Sequence, residues 1–163
     1  MMTIKKPTLL TSEGLERLSQ ELNQLESVGR EAIAERLQRA FEDGQDDDFV
    51  ENAELEAARN AQVFLETRIQ EIKDILRNYQ IIDQNKNDPR DIVRVGNWVT
   101  VVEEGFDEEE RYHLVGPAEA DPAEGRISNE SPLGKVLLGQ KVGDIVNVNA
   151  PNGVIEFRVV KIE

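Results

Sequence analysis

The stretch Phe41–Arg59, reading FEDGQDDDFVENAELEAAR, lies between two long segments of helical periodicity and decides how they are related. It carries eight acids (Glu42, Asp43, Asp46, Asp47, Asp48, Glu51, Glu54 and Glu56) and no base before Arg59. Gly44 suits the left-handed backbone that commonly follows a helix C-terminus. Asp46, Asp47 or Asp48 can cap the next helix by accepting a bond from an orphan N–H. A turn this short forces the flanking helices antiparallel, so the chain is predicted to begin with a helical hairpin whose tip is acidic.

Upstream, Thr11 and Ser12 are both candidate caps. Leu15, Leu18, Leu22 and Leu25 then follow at steps of three and four, the spacing of a heptad seam. The pattern continues through Val28, Ile33, Leu37, Ala40 and Phe41, with Gly29 a weak point for a helix. One helix over about 12–42 would be about 45 Å long. Downstream, Ala61, Leu65, Ile69, Ile72, Leu76 and Tyr79 repeat the spacing after Ala58 and predict a second helix over about 50–78. The expected hairpin is a narrow coiled coil, because its remaining faces are charged.

The character changes after Asp83. QNKNDPRD (Gln84–Asp91) is polar, contains Pro89 and reads as a linker. Short β-branched runs follow at 98–102, 112–115, 126–128, 145–148 and 154–162, the last two separated by Pro151-Asn152-Gly153, a hairpin signal. SPLGKVLLG reads as one short helix entered through Pro132, and the acidic run Glu103–Glu110 as a solvated loop. The predicted class is α+β. Residues 1–83 form the antiparallel coiled coil, and 84–163 a small, mostly antiparallel sheet with one helix on a face.

Composition narrows the chemistry. A 163-residue chain with 5% aromatics and 32% charged residues suits exposed helices better than one thick core. No cysteine means no disulfide, thiolate nucleophile or Cys-based zinc site. No secretory leader or membrane span is read, so a cytoplasmic protein is expected. The net charge of −14 is shared, with 10 bases and 18 acids up to Asp83 and 9 and 15 after it. Such a balance opposes indiscriminate nucleic-acid binding, which draws on Lys and Arg. His113 is the sole histidine, sits in a strand-like run, and is read as structural or surface, which argues against a His-based triad. No phosphate-binding glycine motif occurs.

The tip acids remain. Carboxylates are hard oxygen donors, and Mg²⁺ is commonly held by one or two of them with waters and substrate phosphates. Asp48 and Glu51 stand three apart at a helix start, so their side chains can converge on one ion. Alone they complete too little of an octahedron; they can finish a site half built by another protein. The same acids equally suit a polar turn and the positive N-terminal end of the second helix.

Taken together, the coiled coil, the string Asp48-Phe49-Val50-Glu51-Asn52-Ala53-Glu54 and Ala57-Ala58-Arg59 resemble the bacterial Gre-type transcript cleavage factors. Ser131-Pro132-Leu133-Gly134, Leu137-Leu138-Gly139 and Lys141-Val142-Gly143-Asp144 match the spacing of that family's second half. The resemblance implies an FKBP-like C-terminal domain docked at the rim of the RNA polymerase secondary channel. It also implies a hairpin reaching the active centre and the 3′ end of nascent RNA. Asp48 and Glu51 match the essential tip acids, sharing a second Mg²⁺ with the polymerase. Phe49, Asn52 and Glu54 match the supporting frame, and Asp121, Pro122, Ser131 and Pro132 fall at the docking loops. The implied factor is a monomer with no cofactor and no active site of its own. Gln45-Asp46-Asp47 depart from the usual tip as a three-residue insertion, and relatives with several tip aspartates inhibit polymerase. An inhibitor of the same fold and a non-catalytic coiled-coil adaptor are the alternatives.

Overall fold

The computed structural model describes residues 6–43, 53–82 and 89–163. The chain forms two compact units. One is Leu15–Arg77; the other joins the residues up to Gly14 to Asn78–Glu163.

The first unit is the predicted hairpin. Thr11 is the cap: its Oγ accepts the Gly14 N–H at 2.9 Å. Helix α1 (Ser12–Gln24) passes through a π turn (Leu25–Gly29) into α2 (Arg30–Asp43), and α3 (Ala53–Arg77) returns. The expected start of the second helix near Val50 lies outside the described residues. Ion pairs tie the helices: Glu21–Arg68 at 2.7 Å, Glu26–Lys73 at 2.5 Å, Arg30–Glu66 at 2.8 Å and Arg36–Glu54 at 2.6 Å. From Glu21 through Arg30 to Arg36 the partners run back from Arg68 through Glu66 to Glu54, with the long Lys73 side chain reaching Glu26 out of that order, and the pair is antiparallel.

The π turn explains the one break in the seam. Leu25, Gly29, Ile33 and Leu37 stand at successive steps of four, too wide for a stripe on a helix of 3.6 residues per turn. A wider turn absorbs the excess. Gly29 therefore faces Leu65, whose Cδ1 would lie 3.0 Å from a Cβ at that position. Val28 is displaced outward and is 61% exposed, and Phe41 is exposed as well. The sequence pattern had placed both on the seam. Leu18, Ala40, Ala58, Ile69 and Ile72 are buried.

The second unit holds two sheets. Strands β1 (Thr8–Leu10) and β2 (Tyr79–Ile81) pair in parallel, Thr8 opposite Tyr79 and Leu10 opposite Ile81. Neither strand was expected from the sequence. The main sheet comprises β3 (Trp98–Glu103), β4 (Glu109–Val115), β5 (Arg126–Ser128), β6 (Ile145–Ala150) and β7 (Gly153–Ile162), ordered β5-β4-β3-β7-β6. All of its pairs are antiparallel except β4 with β5. The predicted β6–β7 hairpin turns through Pro151-Asn152, with Ala150 opposite Gly153 at φ 131°. The acidic run proves part strand, since Glu103 ends β3 and Glu109 and Glu110 begin β4.

One face of this sheet buries Val99, Val101, Leu114 and Val159 beneath α4 (Pro132–Leu137), which contributes Leu137 with Leu133 and Val136 alongside. On Trp98, the His113 ring stacks at 4.5 Å and 10° while the Arg111 guanidinium lies 4.3 Å from the ring centroid. His113 is thus a packing residue, as its place in a strand suggested.

Gly134 sits inside α4, where Ala would ordinarily be favoured by about 1 kcal/mol. Here a Cβ would lie 2.0 Å from the Ser128 carbonyl oxygen, and backbone cannot yield cheaply. Gly134→Ala is therefore expected to destabilise the protein by about 1–3 kcal/mol in chemical denaturation, against the helix-propensity trend.

Candidate functional site

The acids Asp46, Asp47, Asp48 and Glu51, together with Phe49 and Asn52, lie outside the described residues. Their frame is described on both sides. Ala40 and Ala58 are fully buried, and side chains this small permit close approach of α2 and α3. Glu54, in the first turn of α3, accepts a hydrogen bond from Arg36 Nε at 2.6 Å. That bond, with the charges of Arg36 and then Arg39, holds the Glu54 carboxyl below the usual glutamate range. Arg36 is raised correspondingly. Ala32, Arg36, Arg39, Ala40 and Glu54 line a shallow depression on this part of the hairpin.

Glu54 is thus engaged in a cross-helix pair with Arg36. Among the described residues no group of three or more His, Cys, Asp or Glu could hold a metal ion. No helix among them is long and apolar enough to cross a membrane.

The four docking candidates flank β5. Asp121 caps the 3-10 turn Pro122–Glu124, its Oδ1 accepting from the Ala123 N–H at 3.2 Å and its Oδ2 from Arg126 Nη2 at 3.2 Å. Gly125, at φ 71°, closes that turn. Ser131 caps α4, its Oγ accepting from the Gly134 N–H at 3.1 Å and donating to the Ser128 carbonyl at 2.7 Å. The polar atoms of Asp121 and Ser131 thus shape their own loops, while the rings of Pro122 and Pro132 are exposed. A three-residue strand spans about 10 Å, so both loops lie within reach of one partner surface.

Sequence reasoning missed one group. Glu119 is only 6% exposed, and its carboxylate accepts from the Thr11 N–H and the Thr11 hydroxyl, each at 2.7 Å. Nothing local marks it, because Pro-Ala-Glu occurs twice, at Pro117–Glu119 and Pro122–Glu124, and only the first copy buries its glutamate. A partner 108 positions away leaves no trace in local pattern.

Both halves of the chain resemble known proteins. The family described as "Transcription elongation factor, GreA/GreB, C-term" matches residues 87–163, and "Transcription elongation factor, N-terminal" matches residues 8–81. The chain is 44% identical over 161 residues to transcription elongation factor GreA of Acetivibrio thermocellus, covering 99% of each. It is also 44% identical over 162 residues to GreA of Geobacillus kaustophilus, covering 99% of this chain and 100% of that one. Among solved structures, GreA factor homolog 1 (Gfh1) of Thermus thermophilus is 32% identical, covering 97% of this chain and 99% of that one at a TM-score of 0.42.

The Arg36–Glu54 pair predicts a titration. A carboxyl held low in the folded state stabilises it above the ordinary glutamate pKa, and that contribution is lost as pH falls through the lowered value. Carboxyl NMR is expected to show Glu54 titrating below free glutamate in the unsubstituted protein. In Arg36→Met the value is expected to rise toward the ordinary range.

Proposed function

The chain belongs to the GreA/GreB family of transcription elongation factors, and from that membership we propose that it acts inside RNA polymerase, entering the secondary channel with its hairpin and stimulating cleavage of backtracked RNA. The observation that carries this reading is the antiparallel pair α2 and α3, cross-tied by Arg30–Glu66 and Arg36–Glu54, with the acidic stretch as its far connection. A slender arm of this kind presents carboxylates at a distance from its own core, where only a partner's site can use them.

Asp48 and Glu51 are the acids assigned to cleavage. Their donor chemistry fits Mg²⁺, since both are hard oxygen ligands, and two carboxylates leave most of an octahedron to other donors. Asp48 and Glu51, together with the polymerase's own groups, would hold Mg²⁺, which would supply charge neutralisation at the phosphorus and a more acidic water. The same two carboxylates would accept hydrogen bonds from the attacking water. Phe49, Asn52 and the paired Glu54 hold the frame, and Asp46 and Asp47 add negative charge beside it. The loops of Asp121, Pro122, Ser131 and Pro132 seat the C-terminal unit at the channel rim. With the remaining ligands coming from polymerase, the protein has no active site of its own.

The test is a backtracked elongation complex with Mg²⁺. The unsubstituted protein is expected to accelerate release of the RNA 3′ fragment. Asp48→Ala and Glu51→Ala are each expected to lower that rate on the order of 100-fold, the typical cost of removing one group that stabilises the transition state. Slowed nucleotide addition without cleavage products would overturn the reading in favour of a channel inhibitor. Activity indifferent to both substitutions would leave a coiled-coil adaptor.

A further inference from the structure

The run Glu103–Glu110 holds six acids and no base, and the proposed cleavage role makes no use of it. At the turn where it begins, the C-terminal unit carries an open groove of about 400 Å³. Val102, Phe106 and Val160 supply its apolar lining, and Glu103, Glu104 and Asp107 its acidic lining.

Two backbone features aim apolar side chains into this groove. Strands β3 and β7 pair Thr100 with Lys161 but Val101 with Val159, so Val160 is the extra residue of a β-bulge. The bulge resets the alternation of β7: Phe157, Val159 and Ile162 are buried, while Val160 is left 38% exposed beside Lys161. In the loop, the Phe106 N–H donates to the Glu103 carbonyl at 3.0 Å, and the Glu104 N–H to the Glu156 carbonyl at 2.9 Å. Gly105, at φ 93°, takes the left-handed position that such a turn reserves for glycine. The turn is thus tied at both ends, and it holds Phe106 out at 63% exposed. A phenylalanine kept in water forgoes one of the larger burials open to a side chain, so its place on a fixed turn needs a reason.

We propose that this groove binds a basic segment of a partner protein. An apolar side chain of that segment seats against Val102, Phe106 and Val160, and flanking Lys or Arg side chains meet the acids. The charge of the lining selects this occupant. Three acids against Arg158 alone leave a net −2, and Arg158 is already paired with Glu104. Glu108, Glu109 and Glu110 follow directly. Nucleic acid and anionic lipid are repelled by this balance, because both are held through Lys and Arg. A second copy of the chain would bring a net charge of −14 to the same acids. A guanidinium or ammonium on a carboxylate forms the stronger class of hydrogen bond, and the apolar lining restricts the site to segments that also carry a hydrophobic anchor. The groove is separate from the loops of Asp121 and Ser131. Glu109 opens β4 beside it, whereas Val115, which ends β4 about 20 Å further on, pairs with Ser128 of β5.

The test is titration of the isotope-labelled full chain with the synthetic peptide Lys-Arg-Leu-Leu-Arg-Lys, followed by amide NMR. Saturable shifts are expected at Val102–Asp107, Arg158 and Val160. A peptide with Glu in place of every base, and one with Gly in place of both leucines, are each expected to bind about tenfold more weakly or less. Phe106→Ser is expected to weaken the basic peptide about tenfold. Val160→Thr keeps the β-branched shape of the bulge, serves where Phe106→Ser alters the loop, and is expected to weaken binding about threefold. Raising salt to about 0.5 M is expected to lower the affinity further. Shifts scattered over acids elsewhere in the chain, equal affinity for the glycine peptide, or affinity indifferent to both substitutions would overturn the proposal. So would displacement of the peptide by an RNA oligonucleotide. Concentration-dependent shifts at the groove without peptide would assign it to a second copy instead, and overturn it as well.

Discussion

The parallel pairing of Thr8–Leu10 with Tyr79–Ile81 is the constraint on which the rest depends. It requires the chain to leave and re-enter the C-terminal unit at one place, so everything between must be an excursion that returns on itself. Two antiparallel helices are the economical solution, because each satisfies its own backbone hydrogen bonds without a sheet or a second core. The pairing extends at both ends: the Thr8 N–H donates to the Asn78 carbonyl at 3.0 Å, and the Ile82 N–H to the Leu10 carbonyl at 2.8 Å. Glu119 adds a side-chain tie immediately beyond, on the cap of α1.

Given that root, the arm holds together with little apolar surface. Its buried residues are few, and its cross-helix ion pairs are largely exposed, so each contributes modestly and is weakened by salt. Their larger role is register. Each pair fits only one alignment of the helices, and Gly29 against Leu65 fits only when the π turn is in place. The charge pattern also separates the arm's work. Along the shaft the acids find bases, as Glu21, Glu26 and Glu66 do, whereas from Glu42 to Glu56 the sequence supplies no base and Glu54 draws its partner, Arg36, from the opposite helix.

Legibility in the sequence followed the range of the interaction. The hairpin was readable because its seam repeats every few residues, and the β6–β7 turn because Pro-Asn-Gly specifies it locally. Ser131 as the α4 cap was readable for the same reason. The strands β1 and β2 were not, since three residues carry no period and their partners lie far apart in the chain. The outward turn of Val28 escaped because seam spacing assumes a uniform helix, and the steps of four that force the π turn show only when counted against 3.6. Glu119 was hidden by its twin in the second Pro-Ala-Glu. At the site itself, the type and order of the tip acids were legible, as was their kinship to a family, while the pairing of Glu54 with Arg36 needed the opposite helix.

The enlarged tip follows from the same separation between shaft and end. Lengthening a connection costs little, about 0.6 kcal/mol for each doubling, so three added residues are a small expense in closure entropy. Their effect must be electrostatic. Charges adjacent in sequence to Asp48 lie well within a Debye length of about 8 Å, so they strengthen the attraction for any cation there without altering the Asp48–Glu51 spacing. Greater attraction serves cleavage only while the ion remains shared with the polymerase; drawn fully onto the factor, it would empty the site it was meant to complete. On the proposed reading, the spacing of Asp48 and Glu51 would set what the tip does to the ion, and Asp46 and Asp47 would set how strongly it competes for it.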